Sequence, residues 1–298
     1  MKKQLDFKSV YECNRCLGCE TLHPQASIIN LENRGQGQGI MKFEFYAILL
    51  IEDCPDECCC CGRKYYDYSN ATVVFLKPGE AFRLSENNML PNKGYLLAFH
   101  PDLLFHTSLK SQMRKYTFFS YYKEEALHLS QRETAKVVCC LENIEDELHH
   151  PIDTHSNTIL SCHIELLLDY CKRYYERQFI TRENKDKLLL EKLDRIFEDY
   201  VSSGRLQQGE GVASDAFAEL LGLSPAYFID MLKFETGKSW DEYFQWKRLD
   251  MAKRMLLQVD ATPANVAYRL GYPSVQYFAL LFKKVTGMAP ADYRCSQN

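Results

Sequence analysis

Three cysteines recur at every third position near the start of the chain, Cys13, Cys16 and Cys19, with His23 close behind. Thiolates and an imidazole at that spacing suit a zinc or iron–sulfur centre, and the run Cys58 to Cys61 offers further ligands. The pattern lacks a matching second half, and four consecutive cysteines in a strand alternate between its faces and cannot all converge. A metal- or redox-sensing regulator is therefore the alternative, with Cys13, Cys16, Cys19 and His23 as candidate ligands. The leading expectation is no metal, no cofactor and reduced, partly buried thiols. The cysteines number 13, an odd count, and MKKQLDFKSVYEC opens the chain without a secretory stretch, which argues against a disulfide framework. His100 and His106 do not form the His-x-His pair that holds a catalytic metal in small-barrel oxygenases, so no enzyme chemistry is expected.

A different chemistry is available towards the C-terminus. Gln276 can bond the adenine edge in a bidentate manner, and Asp230 can accept from a cytosine amino group. Ile229, Val275 and Ala279 can touch thymine methyls, while Lys233, Lys238, Lys283 and Lys284 suit phosphates, as do helix N-terminal amides. Ser224, Ala226, Tyr227 and Ser274, around the two helix starts, complete the candidate DNA-binding set. Leu280 is a further exposed position, with no polar group to read a base edge.

Such residues read DNA only if helices present them together, and a repeat supplies those helices. Ala218, Gly222, Phe228, Lys233, Gly237 and Tyr243 match Ala267, Gly271, Phe278, Lys283, Gly287 and Tyr293. The offset is 49 before the turn and 50 after it, so the second turn is one residue longer. Each copy reads as helix, tight turn, helix. Gly222 supplies the positive φ of the first turn, and Ser224 caps a helix that Pro225 begins. Thr262, Pro263, Gly271 and Ser274 play the matching parts in the second, and Gly237 and Gly287 close the second helices. The two units span about 214–236 and 263–286. Between them Trp240 to Leu257 reads as one long helix, with Tyr243, Phe244, Leu249, Ala252, Met255 and Leu256 packing inward and Lys247, Arg248, Lys253 and Arg254 outward. A strut of that kind can set two reading helices one DNA turn apart, about 34 Å.

Further upstream, short apolar runs at Phe43–Ile51, Ala71–Leu76, Ala81–Leu84 and Tyr95–Phe99 sit between Pro, Gly and Asn turns, as in a small antiparallel barrel or sandwich. Residues 124–150 and 155–180 read as two helices. Leu127, Val137, Val138, Leu141, Ile144 and Leu148 stripe the first, and Ile159, Leu160, Cys162, His163, Leu166, Leu167, Tyr170 and Tyr174 the second. The stripes suit a homodimer seam or a subunit core equally. The 298 residues, 46% apolar, favour two folded units, and no run is long enough to cross a membrane. The net charge of −4 does not advertise nucleic-acid binding. Residues 186–298 carry 14 Lys and Arg against 15 Asp and Glu, so affinity must come from charge placement.

The run LGYPSVQYFALLFKKVTGMAPADYR resembles the hallmark of the AraC/XylS family of bacterial transcription regulators. The resemblance extends from about 187 to 295, with weaker echoes in HPD at 100–102 and FFSYY at 118–122. It implies an α+β chain: a cupin-like jelly-roll sensor over 1–122, a helical hairpin for dimerisation over 123–182, and a DNA-binding domain of two helix-turn-helix units over 183–298. It implies promoter DNA as partner, RNA polymerase if the protein is an activator, a small-molecule effector, a homodimer and a cytoplasmic location without membrane attachment. The chain departs from the family in offering no arginine on either reading helix, which implies modest affinity and partial reliance on DNA shape. A protein-interaction module with a degenerate reading surface is the remaining alternative.

Overall fold

The computed structural model describes all residues except 1–3, 34–39, 53–60, 64–66, 83–92, 209–212, 259–260 and 297–298. Two compact units are present, residues 1–182 and 183–298. The chain is of mixed class: sheets in the first unit, helices alone in the second.

In unit 1, β1 (Gln4–Phe7), α1 (Val10–Leu17), β2 (Ala26–Asn30), β3 (Ile40–Phe43), β4 (Tyr46–Glu52), β5 (Ala71–Leu76), β6 (Glu80–Phe82) and β7 (Gly94–Phe99) precede any long helix. A short helix, α2 (Ser108–Gln112), and the strand β8 (Leu127–Leu129) follow, then α3 (Gln131–His149) and α4 (Ser156–Thr181). Five strands form one antiparallel sheet in the order β2-β7-β4-β5-β8. A smaller sheet, β1-β3-β6, includes one parallel pair, β1 with β3, where antiparallel pairing alone was expected. Strand β4 reads as a continuous apolar run because both its faces are covered. Ala47, Leu49 and Ile51 join Met41, Phe43, Val74 and Leu96 in the core that includes the small sheet. On the other face Phe75 meets Phe118, Phe119 and the α4 residue Tyr175, with ring centroids 4.4, 5.3 and 6.2 Å away.

The helix expected from 124 begins instead at Gln131, because Ser130 and Glu133 form a capping box there. Leu127, assigned to a helical stripe, lies in β8, which pairs with β5. Gln178 of α4 holds that strand: its Oε1 accepts from His128 N at 2.8 Å and its Nε2 donates to Ala126 O at 3.0 Å. The α4 stripe is also rotated from expectation. Leu160, Ile164, Leu167, Leu168, Cys171 and Tyr175 are buried, whereas Ile159, Cys162 and Leu166 are exposed. With apolar residues around most of its girth, α4 has no periodicity sharp enough to tell its inner face from its outer. The last residue of unit 1, Arg182, makes a fully buried fork with Asp67 at 2.9 and 2.7 Å.

Cys13, Cys16, Cys19 and His23 do not come together as a ligand set. Cys13 is buried on the inner side of α1, Cys16 is exposed, and Cys19 is half-buried with its Sγ near Leu17 O. His23 is buried, and its Nδ1 accepts from Gln25 N. Among the described residues no three His, Cys, Asp or Glu side chains stand ready to share a metal ion. Of the run at 58–61 only Cys61 lies within the described residues, and it is buried in the core. Among those residues no helix is long and apolar enough to cross a membrane.

Candidate nucleic-acid interface

Unit 2 comprises α5 (Glu183–Ser202), α6 (Ser214–Leu221), α7 (Pro225–Thr236), α8 (Trp240–Leu256), α9 (Pro263–Arg269), α10 (Val275–Thr286) and α11 (Pro290–Ser296). The repeat becomes two helical hairpins, α6–α7 and α9–α10. At the first turn Gly222 has φ 71°, followed by Ser224, whose Oγ accepts from Tyr227 N at 3.2 Å. At the second Gly271 has φ 67°, followed by Ser274, whose Oγ accepts from Tyr277 N at 3.0 Å. Gly271 has a second reason to lack a side chain: a Cβ there would sit 2.2 Å from Leu206 O.

The strut α8 packs against α7 on one side and against α9 and α11 on the other. Its N-terminal half is fixed by rings: Trp240 meets Phe228 edge-on and Phe217 at a tilt, and Phe244 meets Phe197 edge-on. Its polar edge is bound to α5, through Lys247 to Asp194 at 2.6 Å, Tyr243 Oη to Asp194 at 2.8 Å and Arg254 to Glu198 at 2.9 Å. The Tyr243 hydroxyl is buried and hydrogen-bonded to a carboxylate, so its pKa is driven well above the usual tyrosine value. These ties take Lys247 and Arg254 out of the free positive surface that the sequence suggested. Arg248 is also not outward: it is 7% exposed, and its guanidinium lies 3.7 Å over the ring of Tyr272.

On α7 the buried side is Tyr227, Phe228, Met231 and Leu232, so Ala226, Ile229, Asp230 and Lys233 turn away from it. On α10 the buried pair is Phe278 and Phe282, so Gln276, Ala279, Leu280 and Lys283 turn outward. With the offset of 50, these are equivalent positions: Ala226 with Gln276, Ile229 with Ala279, Asp230 with Leu280 and Lys233 with Lys283. Gln276, Lys233, Lys283 and Lys284 are exposed, Val275 is 38% exposed, and Ala226, Ile229, Asp230 and Ala279 are half-buried.

Two expected contact residues do not reach the surface. Tyr227 is 1% exposed because it lies on the inner face of α7, one residue before Phe228. Ser224 is fully buried with its hydroxyl occupied by the cap, whereas Ser274, its counterpart, is exposed. Lys238 is half-buried; its Nζ donates to Thr236 O at 3.4 Å and lies 5.7 Å over Trp246. Conversely, Leu280 is the most exposed large apolar side chain on α10, at 72%, and Tyr268, Tyr277, Val285 and Met288 are exposed as well. The outward position of Leu280 follows from its place two residues after Phe278, which helical geometry alone supplies.

A helix-turn-helix family model matches residues 217–296, across both hairpins and the strut. Residues 217–296 are a helix-turn-helix domain. Among characterised and uncharacterised relatives, YobQ of Bacillus subtilis, named as a helix-turn-helix transcriptional regulator, is 40% identical over 77 residues, 26% of this chain and 32% of its own. The transcriptional activator RhaS of Escherichia coli is 28% identical over 167 residues, 56% of this chain and 55% of its own. The chain thus spans from about a third to about half of these relatives. The solved structure of ToxT from Vibrio cholerae, bound to an unsaturated fatty acid, aligns over 91% of this chain and 93% of its own at 14% identity and a TM-score of 0.31.

Proposed function

We propose that this chain is an AraC-type, sequence-specific regulator of transcription that binds duplex promoter DNA through unit 2 and takes its control from unit 1. The observation that carries this reading is the pair of equivalent outward ridges on α7 and α10, each preceded by a capped N-terminus and joined by one braced strut. Helices so presented enter successive major-groove segments, with free N-terminal amides and Lys233, Lys283 and Lys284 on phosphates. The two ridges differ in three of four positions, so they read unlike half-sites and the operator is asymmetric. Gln276 bonds an adenine, and Val275, Ala279, Leu280 and Ile229 pack on thymine methyls.

Unit 1 is the regulatory part. An open cleft of about 250 Å³ between β5, β6 and residues 121–124, lined by Phe75, Phe82, Tyr121, Glu80 and Lys123, is the place where a small effector would enter. The exposed residues Ile159 and Leu166 on α4 leave an apolar strip that a second copy can cover, giving a homodimer. The protein works in the cytoplasm, and contacts RNA polymerase if it activates.

The test is selection of genomic fragments by the full chain. One asymmetric site shared by the retained fragments is expected, and a fragment population indistinguishable from the input would overturn the reading.

A further inference from the structure

The packing of unit 2 does not account for the charge on Arg248. It sits in the middle of α8, 7% exposed, with its guanidinium 3.7 Å above Tyr272 and 5.7 Å from the ring of Phe244. Its Nε and Nη2 are buried and make no hydrogen bond, nor does the Tyr272 hydroxyl. No described carboxylate lies within ion-pair distance of it, although α8 and α5 exchange three carboxylate contacts through other residues. Burial lowers its pKa, but a guanidinium remains charged at any physiological pH. An uncompensated buried cation opposes folding, and a leucine or methionine would fill the same space without that penalty. A packing role alone therefore gives no reason for a charge.

The position of the charge supplies one. Tyr272 stands two residues before Ser274, the N-cap of α10, and its ring continues to Phe278 at 5.1 Å and Tyr277 at 6.4 Å. Arg248 is thus linked through one aromatic stack to the first turn of the outward helix. The partial positive charge of a helix N-terminus and its unpaired first amides already favour an anion there. A full charge behind that turn, in a medium less polarisable than water, adds to the same field.

We propose that Arg248 is a positioning residue for DNA, whose charge is matched only when a backbone phosphate of the duplex crosses the entrance of α10. The proposal rests on the reading of unit 2 as a DNA-binding domain and adds a phosphodiester site to it. The guanidinium does not touch the phosphate; it strengthens the field at the helix entrance and holds the Tyr272 turn under it. Discrimination between bases stays with Gln276 and its neighbours, since the charge acts on every sequence alike.

The experiment compares the full chain with Arg248→Met and Arg248→Lys, using a mixed-sequence duplex of about three helical turns and a series of salt concentrations. Arg248→Met is expected to melt at the same or a higher temperature and to bind the duplex about three- to tenfold more weakly at low salt, with a shallower dependence on salt. Arg248→Lys, which keeps a charge but gives up the planar stack, is expected to restore most of that affinity and the steeper salt dependence. Met-variant binding equal to the parent's at every salt concentration overturns the proposal. So does a Met variant that melts well below the parent, or a Lys variant that binds no better than the Met one, since either marks Arg248 as a structural brace. A parent chain that retains no duplex at all removes the DNA-binding reading itself, an outcome distinct from a binding parent with an indifferent Met variant.

Discussion

Gln276 and Lys283 lie about two helical turns apart on the outward face of α10, and the proposed function assigns them to different parts of DNA. If Gln276 makes the proposed bidentate base contact, replacing it by alanine should cost about 1–3 kcal/mol on the preferred site and little on a scrambled one. Lys283→Ala should weaken both duplexes to the same degree and lower the salt slope by about one. Parallel binding isotherms on the two duplexes check this, and matching losses for both mutants would remove the distinction. Leu280 gives a complementary readout. A side chain 72% exposed and wholly apolar has no hydrogen-bonding use in a groove, but it fits a thymine methyl. Substituting uracil for thymine in the operator, one position at a time, should weaken binding at the positions opposite α10, and Leu280→Ala should abolish that sensitivity. At this scale much was legible, since Gly222, Gly237, Gly271, Gly287 and the serine caps all occupy the parts their spacing implied. What spacing could not give was the sense of Tyr227 and Arg248: an amphipathic side chain, a phenol or a guanidinium with a long stem, is compatible with either side of a helix until its neighbours are known.

At the scale of elements, the strand β8 and the turn before α10 each depend on a close backbone contact. The composition of strand β8 suits a helix, because Leu127 follows the good helix formers Glu124, Glu125 and Ala126, and only pairing with β5 decides between the two. That pairing buries His128, with Nδ1 3.1 Å from Thr72 Oγ1, and burial lowers its pKa to about 4. The unfolded chain returns it to about 6.5 and so binds the proton more readily. Stability is therefore complete above about pH 6.5 and falls as the pH drops towards 4, by up to about 3 kcal/mol. Thermal unfolding at pH 7 and pH 5 should show the loss in the parent and a smaller one in His128→Asn; equal losses would place the sensitive group elsewhere. Gly271→Ala should cost at least about 2 kcal/mol, because the left-handed φ and the approach of Leu206 O both exclude a methyl group. Gly222→Ala meets nothing within 4 Å and should cost only the strain of its φ, about 1 kcal/mol. Chemical denaturation of the two mutants, compared with the parent, measures the difference that crowding makes at otherwise equivalent turns.

On the scale of the whole molecule, each unit closes its own core. In unit 1 the two sheets bury Phe43, Phe45, Leu49 and Leu96, and the α3–α4 pair covers the outer face of the larger sheet. In unit 2, Phe197, Phe217, Phe228, Trp240 and Phe244 form one aromatic cluster and Tyr272, Phe278, Phe282 and Tyr293 another, with α8 between them. A segment whose apolar side chains are satisfied within it does not need the remainder of the chain to fold. Residues 183–298 made alone should therefore melt cooperatively and keep the same base preferences, because the two ridges and the strut lie wholly within them. Their affinity should fall below that of the full chain if α4 joins two copies, since dimerisation delivers the second domain to neighbouring DNA at a high effective concentration. Leu166→Glu in the full chain should then have the same effect as deletion of unit 1: a monomer by sedimentation, an unchanged melting temperature, and binding reduced to the level of the isolated domain. Leu166 suits this test because it is 46% exposed, so a charge there disturbs no core. If the glutamate variant sediments and binds as the parent does, the apolar strip on α4 is not the seam. The isolated domain then measures directly how much of the affinity unit 2 generates by itself, from two outward helices that carry no arginine.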